Sequence, residues 1–381
     1  MRKFCEDKLL EIIRSVIIEA KSVAECHALL SVEKMTEDEL DRLWALSKWH
    51  QLEHLVGYSL SDDEDSERAL IFMSFAAVTM QQAEAAEEIS SALSEIGVPH
   101  IPLKGAVLRK IYPEGWMRNS CDVDVLVSEE DLERADKALL ALGYIKQGEV
   151  TVHDVAYLLE NVRVELHYRL IEDYRMPDSA RILDGIWENA VPSWDNPYLM
   201  KLPDELFYFY QVAHMAKHFG DGGCGVRAVL DLWMLNHRCE FDREKRETLL
   251  REGGVLAFEA KMRGLADYWF SDGAGDGLEF IERYILDGGA YGDVTMSEEV
   301  RVRRKGKIRY LFGRLFMPHS ELAKKYPRLA GRPYLLPVYE VRRWLGALGK
   351  NRRKYIGELK DTEHKEELDN MLRELELTDF R

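Results

Sequence analysis

The chain lacks most of the features that assign a protein quickly. It has five cysteines, and no two of them form a CxxC pair. Neither a zinc ribbon nor a disulfide framework is therefore written in it, and scattered thiols of this kind are expected of a reducing cytoplasm. No apolar run approaches the ~18 residues that a membrane span needs. The N-terminal stretch LLEIIRSVIIEA is interrupted by Glu11, Arg14 and Glu19, so it reads as an amphipathic helix and not as a leader or anchor. Positive charge is not in excess. Lys+Arg 52 against Asp+Glu 68 leaves a net charge of −16, so non-specific affinity for nucleic acid or an anionic membrane is not the default. Internal repeats and low-complexity tracts are also missing. What is present, 46% hydrophobic and 10% aromatic residues over 381 positions, suffices for two or three globular domains at roughly 150 residues each.

Periodicity divides the chain. Leu9, Ile13, Val16 and Ile17 recur at helical spacing, and Thr36 followed by Glu39 before an apolar-periodic run is a capping-box signal. After the acidic break SDDEDSE (61–67) a long helix is expected from about Glu67 to Ile96, stopped by Gly97 and Pro99. The period then changes. HIPLKG reads as a strand entering a glycine turn, AVLRKIY as one or two helical turns, and DVDVLV (122–127) as a strand. A helix capped by Ser128 and closed by Gly143 comes next, then the alternating VRVELHYRL. Strand, helix, strand, helix and strand describe a small α/β unit. Helical patterning returns after about Pro177. GDGGCG (220–225) reads as a turn between helices, and a last helix near Thr362–Leu377 places Leu368, Met371, Leu372 and Leu375 on one face.

The chemistry concentrates in IPLKGAVLRKIYPEGWMRNSCDVDVLV. On a strand, Asp122 and Asp124 point the same way while Val123 and Val125 point to the other face. Two carboxylates one pleat apart repel unless a cation lies between them, and oxygen donors suit Mg²⁺. On VRVELHY, Arg163, Glu165 and His167 share a face, so a neighbouring strand could bring Glu165 to the Asp pair. Three such carboxylates can hold two metal ions roughly 3.5–4 Å apart for in-line displacement at phosphorus. The turn Lys104-Gly105-Ala106 offers backbone N–H groups at a helix start, a phosphate cradle. Lys104, Arg109, Lys110 and Arg118 could neutralise a triphosphate, with Ser120 on the same side.

Together LKG (103–105), Tyr112-Pro113, Arg118 ahead of DVDVLV, LGY (142–144) and VELHYRL (164–170) resemble the uncharacterised nucleotidyltransferases of the DNA polymerase β superfamily. HMAKH (214–218) with Arg227 and Asp231, and YPRLAGRPYLLPVYEVRR (326–343), are similar to that family's C-terminal helical part. The resemblance implies an α+β or α/β fold. A polymerase β-like core at 68–175, a small mixed sheet with helices, would lie between an N-terminal helical region, 1–67, and a C-terminal helical domain, 176–381. It implies transfer of a nucleoside monophosphate, AMP from ATP, to a hydroxyl or phosphate of an acceptor: a small molecule, a protein or an RNA end. Mg²⁺ or Mn²⁺ would be held by Asp122, Asp124 and Glu165, and the nucleotide by Lys104, Gly105, Ala106, Arg118 and Ser120. Family members usually carry Gly-Ser or Gly-Gly at the turn, where this chain has Gly105-Ala106. An inactive nucleotide-sensing or protein-interaction module on the same fold is the alternative.

Two features stand apart from that core. His214 and His218, at i and i+4, have metal-ligand spacing, yet no HExxH glutamate accompanies them; with His167 they are candidates for the acceptor side. Arg227 and Asp231, also at i and i+4, read as a helix ion pair. Residues 301–354 hold seventeen Lys/Arg against Glu321 and Glu340, which is either a solvated basic face or a site for a polyanion or acidic partner.

Overall fold

The computed structural model describes residues 2–30, 35–61, 67–148, 153–171, 176–220, 222–292 and 363–377. The basic segment 301–354, the 326–343 motif and the middle of the acidic break lie outside the described residues.

Helix α1 (Arg2–Ile13) runs into a π-helical turn at Arg14–Ile18, followed by α2 (Val23–Leu30), α3 (Glu37–His50) and α4 (Glu53–Leu60). Leu9, Ile13, Val16 and Ile17 are fully buried, as their spacing requires. The capping box forms: Glu39 N–H donates to the Thr36 hydroxyl, and the Glu39 carboxylate accepts from Thr36 N–H at 2.8 Å. Helix α5 (Glu67–Glu95) ends where Gly97 turns to a φ of +67°, a conformation glycine adopts without a Cβ penalty. Among the described residues no helix is long and apolar enough to cross a membrane. All five cysteines are free thiols.

After α5 come β1 (His100–Pro102), the single turn α6 (Gly105–Leu108), β2 (Val123–Val127) and α7 (Leu132–Ala141). Three further strands follow, β3 (Ile145–Gln147), β4 (Asp154–Leu159) and β5 (Val162–His167). The sheet has five strands in the order β1-β2-β5-β4-β3, two more than the alternation in the sequence indicates. Strand β3 is three exposed residues, and β4 after its leading Asp154 is an unbroken apolar run, so neither shows a period of two. Among the described strands of this sheet, only β2 and β5 pair in parallel.

The sheet is covered on both faces. Val123, Val125 and Val127 of β2, with Val164 and Leu166 of β5, pack against Ile89 and Leu93 of α5 and Ala135 and Leu139 of α7. Each valine, leucine or isoleucine among them contributes roughly 1.5–3 kcal/mol when fully buried. On the other face Ile101, Leu103 and Leu126 join a larger core shared with the N- and C-terminal helices. The latter are α8 (Pro177–Asp184), α9 (Ile186–Asn189), α10 (Asp204–Gly220), α11 (Gly225–Arg238), α12 (Arg243–Glu252), α13 (Leu256–Phe270), α14 (Glu279–Gly288) and α15 (Glu363–Glu374). A short hairpin, β6 (Val191–Pro192) with β7 (Met200–Lys201), precedes α10. In α15 Leu368, Met371, Leu372 and Leu375 are buried, the stripe read from their spacing.

Candidate active site

The parallel register of β2 and β5 sets Asp124 directly beside Glu165 and Leu126 beside His167. Because Val123 and Val125 go to the α5–α7 core, Asp124 is turned to the opposite face, where it is buried. Its Oδ1 lies 2.7 Å from Lys104 Nζ and 2.8 Å from His167 Nε2. His167 Nε2 is also 3.7 Å from Glu165 Oε2, and Glu165 Oε1 accepts from Arg163 at 2.9 and 3.2 Å. Burial works against the Asp124 carboxylate, but the Lys104 ammonium and the His167 bond outweigh it and hold the group well below the usual range. Lys104 responds in kind: burial disfavours its charge, and Asp124 more than restores it. Asp122, just ahead of β2, feels Lys104 and His167 too weakly to offset its burial. Burial first, then repulsion from Asp124, pushes it up to about 6.

These groups open on a cavity of about 330 Å³. Lys104, Gly105, Ser120, Asp122, Asp124 and Glu165 line one side; Gln211, His214 and His218 from α10, with Arg227 and Asp231 from α11, line the other. Gly105 is needed for space, since a Cβ there would fall 2.1 Å from Ser120 Oγ. That hydroxyl accepts from Arg109 Nη2 at 3.0 Å, and the same nitrogen donates to Gln82 Oε1 at 2.6 Å. Lys104 has a φ of +39°, a left-handed conformation that a non-glycine residue holds at a cost.

The same geometry places the remaining expected residues. Ala106 N–H donates to Leu103 O at 3.1 Å, and Ala106 is not among the cavity-lining residues. The helix begins one residue earlier, at Gly105, which does line the cavity, and it has 4 residues. Arg118 borders the cavity but is buried, its guanidinium bonded to Asp231 at 2.6 and 2.7 Å. Tyr112 donates to the same carboxylate at 2.7 Å. Asp231 therefore ties the strand-side loop to α11, a partnership that the i,i+4 spacing with Arg227 does not foretell. Arg227 reaches Asn119 Oδ1 at 3.0 Å. His167, expected to face an acceptor, is buried beside Asp124 and does not line the cavity. His214 and His218 do line it, with their Nε2 atoms 3.2 Å apart, and burial keeps His214 well below the ordinary imidazole range. Gln82 and Gln211 carry no motif and were missed; only a three-dimensional fold brings them in.

The donor set fits a divalent cation. One ligand atom each from Asp124, Glu165 and His167 lie within 4.8 Å of one another, and Asp122 borders the same cavity. A mixed sheet that presents carboxylates from adjacent parallel strands to a cavity roofed by helices defines a nucleotidyltransferase core with helical flanks. The family model described as an uncharacterised nucleotidyltransferase matches residues 36–271, well over half of the chain, and the chain belongs to that family. No curated protein and no solved structure matches it.

Proposed function

We propose that the protein transfers a nucleoside monophosphate, AMP from ATP, to a hydroxyl or phosphate oxygen of an acceptor and releases pyrophosphate. The observation that carries this reading is the placement of Asp124 beside Glu165 on parallel strands, with Asp122 at the same cavity. A pair of divalent cations, Mg²⁺ or Mn²⁺, held by Asp122, Asp124 and Glu165 would supply charge neutralisation at phosphorus and at the attacking oxygen. Lys104 lies against Asp124 at the cavity wall, where its ammonium can pair with the β- and γ-phosphates. The Gly105 backbone and the Ser120 hydroxyl stand on that side; Arg118 shapes it while its charge is spent on Asp231. Glu165, with one oxygen anchored by Arg163, takes the acceptor's proton as the new P–O bond forms and the bond to the β-phosphate breaks. His214 and His218 form the acceptor wall. The acceptor is a small molecule, a protein or an RNA end, and the setting is the cytoplasm.

The test is Asp124→Asn. Metal-dependent release of pyrophosphate should fall by at least ~10³-fold, the scale of losing a main electrostatic contact, with the circular dichroism spectrum unchanged. Turnover within tenfold of wild type rejects the assignment. The locked Arg118 and the Ala106 turn favour a second reading, a nucleotide-sensing module; saturable Mg·ATP binding without pyrophosphate release against any acceptor class would support it.

A further inference from the structure

We propose that His167 Nε2 is itself a ligand of the metal site, beside Asp124 and Glu165, so that the site is a mixed oxygen–nitrogen one that prefers Mn²⁺ and other first-row transition ions to Mg²⁺. This rests on the metal-dependent reading above and departs from its all-carboxylate donor set. His167 follows Glu165 by two residues on β5, hence on the same face, and pairs in register with Leu126. It is 5% exposed, so packing and not solvent fixes the ring. Its Nε2 stands 2.8 Å from Asp124 Oδ1 and 3.7 Å from Glu165 Oε2. A cation about 2.1 Å from each atom would see these pairs at roughly 85° and 125°, angles that ordinary coordination accepts. Asp122, ahead of the strand, is not part of this three-donor cluster.

The far side of the ring permits the exchange. Among the described residues, His167 Nδ1 is buried with no hydrogen-bond partner. Shifting the ring proton from Nε2 to Nδ1, which frees the Nε2 lone pair for a cation, therefore sacrifices no bond at Nδ1. What is given up is the contact to Asp124, and the cation replaces it. Imidazole is a good donor for first-row transition ions, whereas Mg²⁺ demands oxygen and gives up water reluctantly. A buried imidazole in the donor set thus biases the choice of ion without any change in the carboxylates.

The full chain, purified free of metal, is loaded with one equivalent of Mn²⁺, and the electron spin echo is examined for modulation by a coordinated nitrogen. Wild type should show it. His167→Gln should lose it, with Mn²⁺ affinity down by more than ~100-fold, beyond the range that loss of an outer-shell partner produces. Mg²⁺ should displace Mn²⁺ from wild type only in large excess. Bound Mn²⁺ without nitrogen modulation in wild type overturns the proposal and leaves nucleotidyl transfer standing, a result that needs no variant to fold. Modulation that persists in His167→Gln but vanishes in His214→Gln also overturns it. Failure of Mn²⁺ to bind with or without ATP overturns both readings.

Discussion

Gly105 shows how one missing carbon organises the site. Its backbone needs no unusual dihedral; the constraint is the Ser120 hydroxyl standing where a Cβ would go. That hydroxyl is held by Arg109, which is held in turn by Gln82. Gly105→Ala must push Ser120 off this arrangement and should cost about 1–3 kcal/mol, the usual scale of overpacking. Denaturant unfolding measures it. Adding Ser120→Ala should recover part of the loss, because the clashing oxygen is gone while its Cβ, 3.3 Å away, stays tight. Failure of the double variant to recover would place the strain elsewhere. At this scale the carboxylates were legible, since Asp122, Asp124 and Glu165 announce their faces by alternation. The roles of Arg118 and His167 were not. Arg118 is neutralised by a residue 113 positions away, and His167 meets Asp124 only because two strands pair in parallel; no local spacing encodes either contact.

At the scale of elements, side-chain chemistry near the ends made helices readable. The Thr36–Glu39 box, the Ser128 cap and the Gly97 stop lie where the sequence puts them. Thr36→Ala should remove about 0.5–2 kcal/mol of stability, read as a lowered midpoint in urea with an unchanged slope; no shift would mean that α3 is fixed by its packing alone. Strands were less legible. The buried alternation of β2 and β5 stands out, whereas β3 is too short and β4 too uniformly apolar to show a period. The sheet's order and the parallel pairing of β2 with β5 depend on which edges meet, information that no single strand carries.

For the whole molecule, buried histidines set the response to acid. Burial lowers both His50 and His54 to about 4, each bonded to a backbone carbonyl, of Leu286 and Met117 respectively. The folded values lie below the ordinary 6.5, so as pH falls the unfolded chain takes up protons first. Stability from this source is intact above about pH 6.5 and is lost progressively down to about pH 4. At about 1.4 kcal/mol per pH unit per group, the pair amounts to several kcal/mol. Asp122, pushed up to about 6, opposes the trend in its lower part. Unfolding midpoints at pH 7 and pH 5 should differ clearly in wild type and by less in His54→Gln; equal differences would remove His54 from the account.

The bridge from Arg118 to Asp231 also bears on how this chain can be recombined. Tyr112, Arg118 and Asn119 meet α11 at one buried junction, which locks the loop ahead of β2 to the C-terminal helices. A chimera that grafts foreign helices onto this sheet inherits a buried guanidinium searching for an acid. Unless the incoming helix presents a carboxylate where Asp231 stands, the hybrid carries an uncompensated buried charge and fails at folding. Gln211, His214 and His218 face the same cavity without carrying the lock, so substitutions there alter the cavity wall and leave the junction intact.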